Sequence, residues 1–313
     1  MVSSVVRSKL ILHSVLKVRW IPFIKMCKVD NSKKMPKQGK ELVREPTKPN
    51  MMRWLPMLFF VFGMLQGIQA QTDTLLEQAE VYAQKNEWRQ VAKIYEELLE
   101  DEPENAVYWY RYGGALAKRA QSGSKLWALT YLGTMENAFN MAVALDPKNR
   151  EARWALIDFY VSVPGLVGGS FEKAMQQVEA LMAISPMEGH LAKSYVYEYE
   201  EEEQLAQDEA ELAYRLLKQY GPIKRNAIRY QIGKIGALYG IDPAQGKEQL
   251  QVYMANYSVY DGVPLAWAYF RMAQLYDCLK QPDLALDWCN KALQKAPRLK
   301  PAQEWLAQHR AKK

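Results

Sequence analysis

The sequence predicts an all-α chain, an array of antiparallel helix hairpins stacked side by side. Three observations carry this. The 34 residues from Ala266 to Leu299 hold two amphipathic helical patterns on either side of Lys280-Gln281-Pro282-Asp283. Small or apolar side chains fall where the two helices must interlock: Met272, Ala273 and Tyr276 on the first, Ala285, Cys289 and Ala292 on the second. The same pattern recurs with lower fidelity over 72–310, and prolines such as Pro297 close the units because the ring cannot continue a helix.

Taken in order, the first unit places Leu75, Ala79 and Tyr82 on its helix A and Val91, Tyr95 and Leu98 on its helix B, with Asn86-Glu87 as the turn and Pro103 as the stop. The second opens on Trp109-Tyr110-Arg111-Tyr112-Gly113 and ends on Phe139, Ala142, Leu145 and Pro147. Gly113 allows the facing helix to approach closely. About ten extra residues around Gln121–Ser124 predict an extended turn or longer helices. The third unit has Trp154 and Ile157, then Ala174, Val178 and Leu181, with Pro186 beyond. Its insertion, Val163–Ser170, stops a helix at Pro164, permits positive φ at Gly165, Gly168 and Gly169, and offers Ser170 as a cap. Gly168, Gly169 and Ser170 therefore form a candidate anion-binding loop at a helix N-terminus, with a plain inter-helix loop as the alternative. The stretch lacks G-x-x-x-x-G-K-[ST], so no nucleotide loop is predicted. The fourth unit carries Lys193 and Tyr197, then Ala210, Tyr214 and Leu217, with Pro222 after them, and Glu200–Glu203 reads as a solvated face or turn. The fifth is the weakest: Ile232-Gly233 fits, Gly236 and Gly246 replace larger core residues, and Asp242-Pro243 turns the chain. The sixth is 266–299, and Lys300–Ala307 begins one more amphipathic helix suited to capping the array.

Residues 266–299 resemble one tetratricopeptide repeat position for position, and Trp109–Gly113 resembles that family's W-x-x-L-G opening, with Tyr112 in place of Leu. The resemblance spans 72–310. It implies a right-handed helical-repeat solenoid of about six antiparallel helix hairpins plus a C-terminal capping helix, of the exported bacterial type, that binds a partner and does no chemistry. In such solenoids helix A lines the concave surface, with positions 2, 5, 9 and 12 of the repeat turned to the groove. Transferred to this chain, those positions are Tyr110, Phe159, Tyr195, Tyr230, Trp267 and Phe270, with Lys234, Gln274 and Asp277 beside them. An aromatic-lined groove suits extended peptides or sugar rings, because flat side chains give large contact area at low entropy cost. The alternative is that several of these rings pack against the next helix. Tyr110, Tyr230 and Phe270 share a repeat position and are expected on one open surface, whereas Trp109 is expected in the core. The family's carboxylate clamp needs Lys and Asn at positions where aromatics dominate here, which argues against binding of chaperone tails.

The net charge of +6 over 313 residues is unevenly spread. Residues 1–70 carry 13 Lys/Arg against 3 Asp/Glu, and the remainder carries 28 against 32. The body is mildly acidic, which excludes a nucleic-acid partner on electrostatic grounds. Cys278 and Cys289 fall on facing helices about nine residues out of step, or about 13 Å along the axis, too far for a disulfide. Both are expected as small packing residues. His190 and His309 lie at no ligand spacing, so neither metal nor cofactor is expected. Catalytic patterns such as G-x-S-x-G and H-E-x-x-H are missing.

Met51-Met52-Arg53, an apolar run from Trp54 to Leu65 and Ala70 before Gln71 predict a signal peptide at 51–70, and hence a periplasmic or secreted chain with no stable membrane span after cleavage. A membrane anchor is the alternative, but the run is shorter than the roughly 20 residues a span needs. Residues 1–50, Lys-rich and without period, read as a basic extension that is disordered or precedes the true start. The mature domain is expected at 71–313. The leading function is then an exported, non-catalytic scaffold that binds a protein or peptide segment in its groove. A small-molecule-binding accessory subunit of an envelope transport system is the second hypothesis, motivated by the glycine insertion and the aromatic groove. A regulatory half of an enzyme is the third, and it would need a catalytic domain that this chain lacks.

Overall fold

The computed structural model describes residues 71–123 and 125–310. The expected signal peptide and the extension at 1–50 lie outside the described residues. Among the described residues there is no β-strand. Helix α1 spans 71–84. It is followed by α2 (Trp88–Asp101), α3 (Ala106–Ser122), the short α4 (Lys125–Ala128) with a 3-10 turn at Leu129–Tyr131, α5 (Leu132–Leu145), α6 (Arg150–Ser162), α7 (Phe171–Ile184) and α8 (Pro186–Tyr199). Then come α9 (Glu203–Tyr220), α10 (Asn226–Tyr239), α11 (Pro243–Ala255), α12 (Leu265–Cys278), α13 (Pro282–Lys295) and α14 (Lys300–Arg310). The hairpins α3/α5, α6/α7, α8/α9, α10/α11 and α12/α13 follow one another, and α14 packs on α13; ahead of them α1 and α2 form the first hairpin, joined by the turn at Asn86 and sharing one core cluster. The structure is thus an all-α helical-repeat solenoid of six hairpins with a terminal cap.

Local chemistry sets the helix ends. The side chains of Asn105, Asn149, Ser170 and Asp242 accept from backbone N–H groups in the first turns of α3, α6, α7 and α11. Pro186, Pro243 and Pro282 stand in the first turn of α8, α11 and α13, where their missing N–H costs nothing. Three of the six hairpin turns are closed alike. Asn86, Glu201 and Lys280 take positive φ, and the next residue donates back to a tyrosine carbonyl: Glu87 to Tyr82 at 2.9 Å, Glu202 to Tyr197 at 3.0 Å and Gln281 to Tyr276 at 2.9 Å. The extra residues of the second unit are used by a 17-residue α3, then by α4 and the 3-10 turn, which leave Trp127 and Leu129 exposed.

The core is continuous because the inner helix of each later hairpin buries two faces. Helix α8 gives Ala192 and Val196 to the N-terminal cluster and Met187 and Leu191 to the next. Helix α10 gives Ile228, Ile232 and Ile235 backwards, and Tyr230 and Ala237 forwards. Helix α12 gives Ala268, Met272 and Leu275 backwards, and Ala266, Phe270 and Ala273 forwards to α13 and α14. Alanines with no exposure, among them Ala79, Ala138, Ala210 and Ala292, let the helices cross closely. At Gly113 an added Cβ would sit 2.7 Å from the Phe139 ring, so the predicted close approach is real. The two described cysteines are free. Cys289 is buried and its Sγ donates to the Ala302 carbonyl at 3.3 Å, as a packing residue should. Cys278 instead is exposed, at the last turn of α12, which corrects its expected packing role. Trp109 is half-buried, its indole N–H bonded to the Pro103 carbonyl at 2.8 Å, and its neighbours Tyr108 and Tyr112 fill the core in its stead.

Candidate functional site on the inner helices

Four successive inner helices, α6, α8, α10 and α12, carry a connected strip of polar and aromatic side chains. Tyr195 on α8 is its hub. Its hydroxyl donates to Asp158 on α6, its ring meets Tyr199 at 5.1 Å and Trp154 at 6.2 Å, and Lys234 on α10 sits 4.7 Å over its face. Lys234 is 6% exposed and forms an ion pair with Glu198 of α8. Further along, the Arg271 guanidinium of α12 opposes the effect of burial on the Tyr230 hydroxyl. Arg271 lies 5.6 Å from the Trp267 ring and donates to Gln274 at 2.7 Å.

The strip is electrostatically unusual. Asp158 keeps an open edge to solvent, yet surrounding protein withdraws bulk water and pushes its carboxyl up, against the lowering effects of the Tyr195 hydrogen bond and Lys234. Burial raises the Tyr195 hydroxyl well above its ordinary value, and the Asp158 charge adds to this. Lys234 is pushed down by burial, opposed by Glu198. Two buried donors, the Trp154 indole N–H and the Arg271 Nε, have no acceptor. Such orphans typically cost about 1–3 kcal/mol each, and buried ion pairs are weak stabilisers. The strip is therefore not optimised for stability alone.

The predicted groove residues divide between wall and core. Tyr110, Tyr195 and Trp267 are half-buried, and Lys234 and Gln274 join the strip. Tyr110 lies apart from it, with its ring 6.2 Å from Phe139. Phe159, Tyr230 and Phe270 are only 3%, 4% and 3% exposed, so they are core residues and not an open surface. On α6 the side chain facing Tyr195 is Asp158, next to the expected Phe159; one residue is about 100° of helix rotation, enough to turn a side chain from groove to core. Tyr230 is drawn inward by Tyr253 of α11, 5.5 Å away, and Phe270 by the cluster it forms with α13 and α14. Asp277 binds His309 Nε2 at 3.1 Å and so ties α12 to the cap. Asp158, Glu198, Tyr199 and Arg271 were missed. The available signal was the i, i+3, i+4 spacing of Tyr195, Glu198 and Tyr199 on one helix face.

The expected anion loop is corrected. The N–H groups of Gly168, Gly169 and Ser170 donate to the carbonyls of Gly165, Pro164 and Tyr160, and the Ser170 hydroxyl caps α7 at Lys173. All three of these N–H groups are thus spent on backbone carbonyls, and the Glu136 carboxylate stands close to Gly168. Gly169 is there for space, since a Cβ would lie 1.7 Å from the Val163 carbonyl oxygen.

No sequence-family model matches the chain, and no curated protein matches it in sequence. Similar solved structures do exist. The Cut9–Hcn1 hetero-tetramer of the APC/C is similar at 14% identity and TM-score 0.48 over 74% of this chain; the match spans 41% of that chain, less than half its length. The type IV pilus biogenesis factor PilW is similar at 15% identity and TM-score 0.42, over 75% of this chain and 98% of PilW. A tetratricopeptide-repeat protein of Thermus thermophilus is similar at 20% identity and TM-score 0.38, over 62% of this chain and 98% of that one. The six stacked hairpins, the small residues at their crossings and the repeated tyrosine-closed turn make the chain an all-α helical-repeat solenoid.

Proposed function

We propose that the protein is an exported, non-catalytic scaffold whose inner-helix strip holds an extended segment of a protein partner. The observation that carries this is the Asp158–Tyr195–Lys234–Glu198 network across α6, α8 and α10. An extended backbone offers N–H groups that a solvent-touching carboxylate such as Asp158 can accept, and side chains that can lie on the rings of Tyr195 and Tyr199. Fixed, partly dehydrated charges favour one register of the bound segment, because a misplaced group would leave them unpaired. The apolar leader from Trp54 to Leu65 supports export.

One experiment addresses both halves. The full chain, tagged at its C-terminus, is expressed in a bacterial host, cross-linked, recovered by fraction and compared with Asp158→Ala and Tyr199→Ala. Tyr199 is exposed, so its variant should melt near wild type, while in both variants a partner captured by the wild type should fall at least about tenfold in yield. Equal capture by all three proteins removes the strip from consideration. N-terminal sequencing of the captured chain should begin near Gln71 in a fraction outside the cytoplasm. An intact 1–70 in the cytoplasm rules out export.

A further inference from the structure

The connection between α11 and α12 does not simply join them. Its turn, Ser258–Asp261, is preformed: Asp261 N–H donates to the Ser258 carbonyl, Ser258 N–H to the Asp261 carboxylate and Tyr260 N–H to the Ser258 hydroxyl, at 2.9, 2.9 and 3.3 Å. Asn226 at the start of α10 holds the Asp261 carboxylate from below at 3.0 Å. The tip of the turn reaches across the solenoid to the first two hairpins, where Val259 and Tyr260 pack against the N-terminal core cluster. Tyr260 meets the edge of Trp88 at 5.9 Å, Arg111 lies 4.5 Å over its ring, and the Glu80 carboxylate acts on its hydroxyl. Lys118 donates to the Asp261 carbonyl while also lying 5.8 Å over Trp88. These contacts join residues more than 140 positions apart in sequence, and Lys118 to Asp261 is a separation of 143.

The receiving surface is thus a built pocket on α1, α2 and α3. Trp88 forms its floor, Arg111 and Lys118 supply cations, and Glu80 places a carboxylate near the phenol. We propose that this pocket is a second recognition site, for a tight turn of a protein partner that presents an aromatic residue followed by an acidic one, and that the chain's own Tyr260-Asp261 turn occupies it as a displaceable mimic. The chemistry of the occupant is fixed by what the pocket offers: a guanidinium for the ring face, an ammonium beside the acid and its carbonyl, and a carboxylate for the phenol. Val259, Tyr260 and Asp261 are half-buried and belong to a connection, not to a helix, so the turn can be exchanged against the core cluster it covers while the helices stay in place. A self-occupied site lowers a partner's apparent affinity by the fraction of chain in the open state. This site lies apart from the strip on α6 to α12, and its test does not depend on that strip.

The test uses the full chain and a fluorescein-labelled, cyclised peptide of residues 256–264. Three proteins are titrated: wild type, Tyr260→Ala, and Tyr260→Ala with Lys118→Ala. Wild type should bind weakly, Tyr260→Ala should bind at least about tenfold more tightly, and the double variant should lose that gain. Tyr260→Phe should bind as weakly as wild type, because its ring still fills the pocket. A peptide carrying Ala at position 260 should not bind. If Tyr260→Ala, still cooperatively folded in a thermal melt, binds no better than wild type, the turn is a fixed strap and the proposal is overturned. If wild type dimerises with rising concentration and Tyr260→Ala stays monomeric, the pocket takes the turn of a second copy, which overturns the assignment to a partner protein.

Discussion

At the scale of single residues, what decides a side chain's part in this solenoid is one step of helix rotation. Phe159 and Asp158 are neighbours, yet one is 3% exposed and the other open to solvent. Phe270 was expected on the groove and lies in the core between α12, α13 and α14. Phe270→Ala should therefore cost about 3–5 kcal/mol, as large-to-small changes in a packed core do. Tyr199→Ala, at a position 47% exposed, should change stability by no more than about 0.5 kcal/mol. Urea melts of the two variants decide this, and equal losses would mean that Tyr199 is clamped in a way its exposure does not reveal. The positions of Ala285, Cys289 and Ala292 at the helix crossing were legible from the sequence, because only small residues let two helices approach there.

Elements differ in how they are closed. Hairpins one, four and six share the tyrosine-carbonyl turn, whereas the second and third replace it with α4 and with the Pro164–Ser170 loop. That loop depends on Gly169, where the chain turns back onto the Val163 carbonyl. Gly169→Ala should destabilise by on the order of 1–3 kcal/mol or more, since the backbone must move to admit a methyl group. Gly165→Ala, with nothing within 4 Å of its Cβ, is the control and should be close to neutral. Denaturant midpoints of the pair test this, and a neutral Gly169→Ala would mean that the loop has another conformation of similar energy. The glycines suggested an anion site in the sequence. What removed it is where the N–H groups point, which depends on the fold of the loop and not on its composition.

At the scale of the whole molecule, stability comes from stacking, because each hairpin leaves an apolar face that only its neighbour covers. Removing 266–313 would uncover Tyr230, Ala237, Leu250 and Tyr253, which now pack against Ala268, Met272 and Leu275. A chain ending at 265 should bind a hydrophobic dye and lose solubility and several degrees of melting temperature. Unchanged melting and solubility would mean that the C-terminal stack is dispensable and that the bridge from Tyr260 to Trp88 holds the array on its own. The same bridge makes the molecule more than a sum of nearest-neighbour hairpins, since it couples the fifth connection to the first two units.

The sequence by itself determined the helical class, the number of hairpins, most of their ends and the small-residue crossings. Each of these follows from local periodicity, capping chemistry or side-chain volume. Only the tertiary structure decided which of two adjacent residues faces the strip, where the loop donors at Gly168 and Gly169 are spent, and that Tyr260 meets Trp88. Those outcomes depend on the rotation of each helix against its neighbours and on contacts between segments far apart in the chain. No local pattern encodes them.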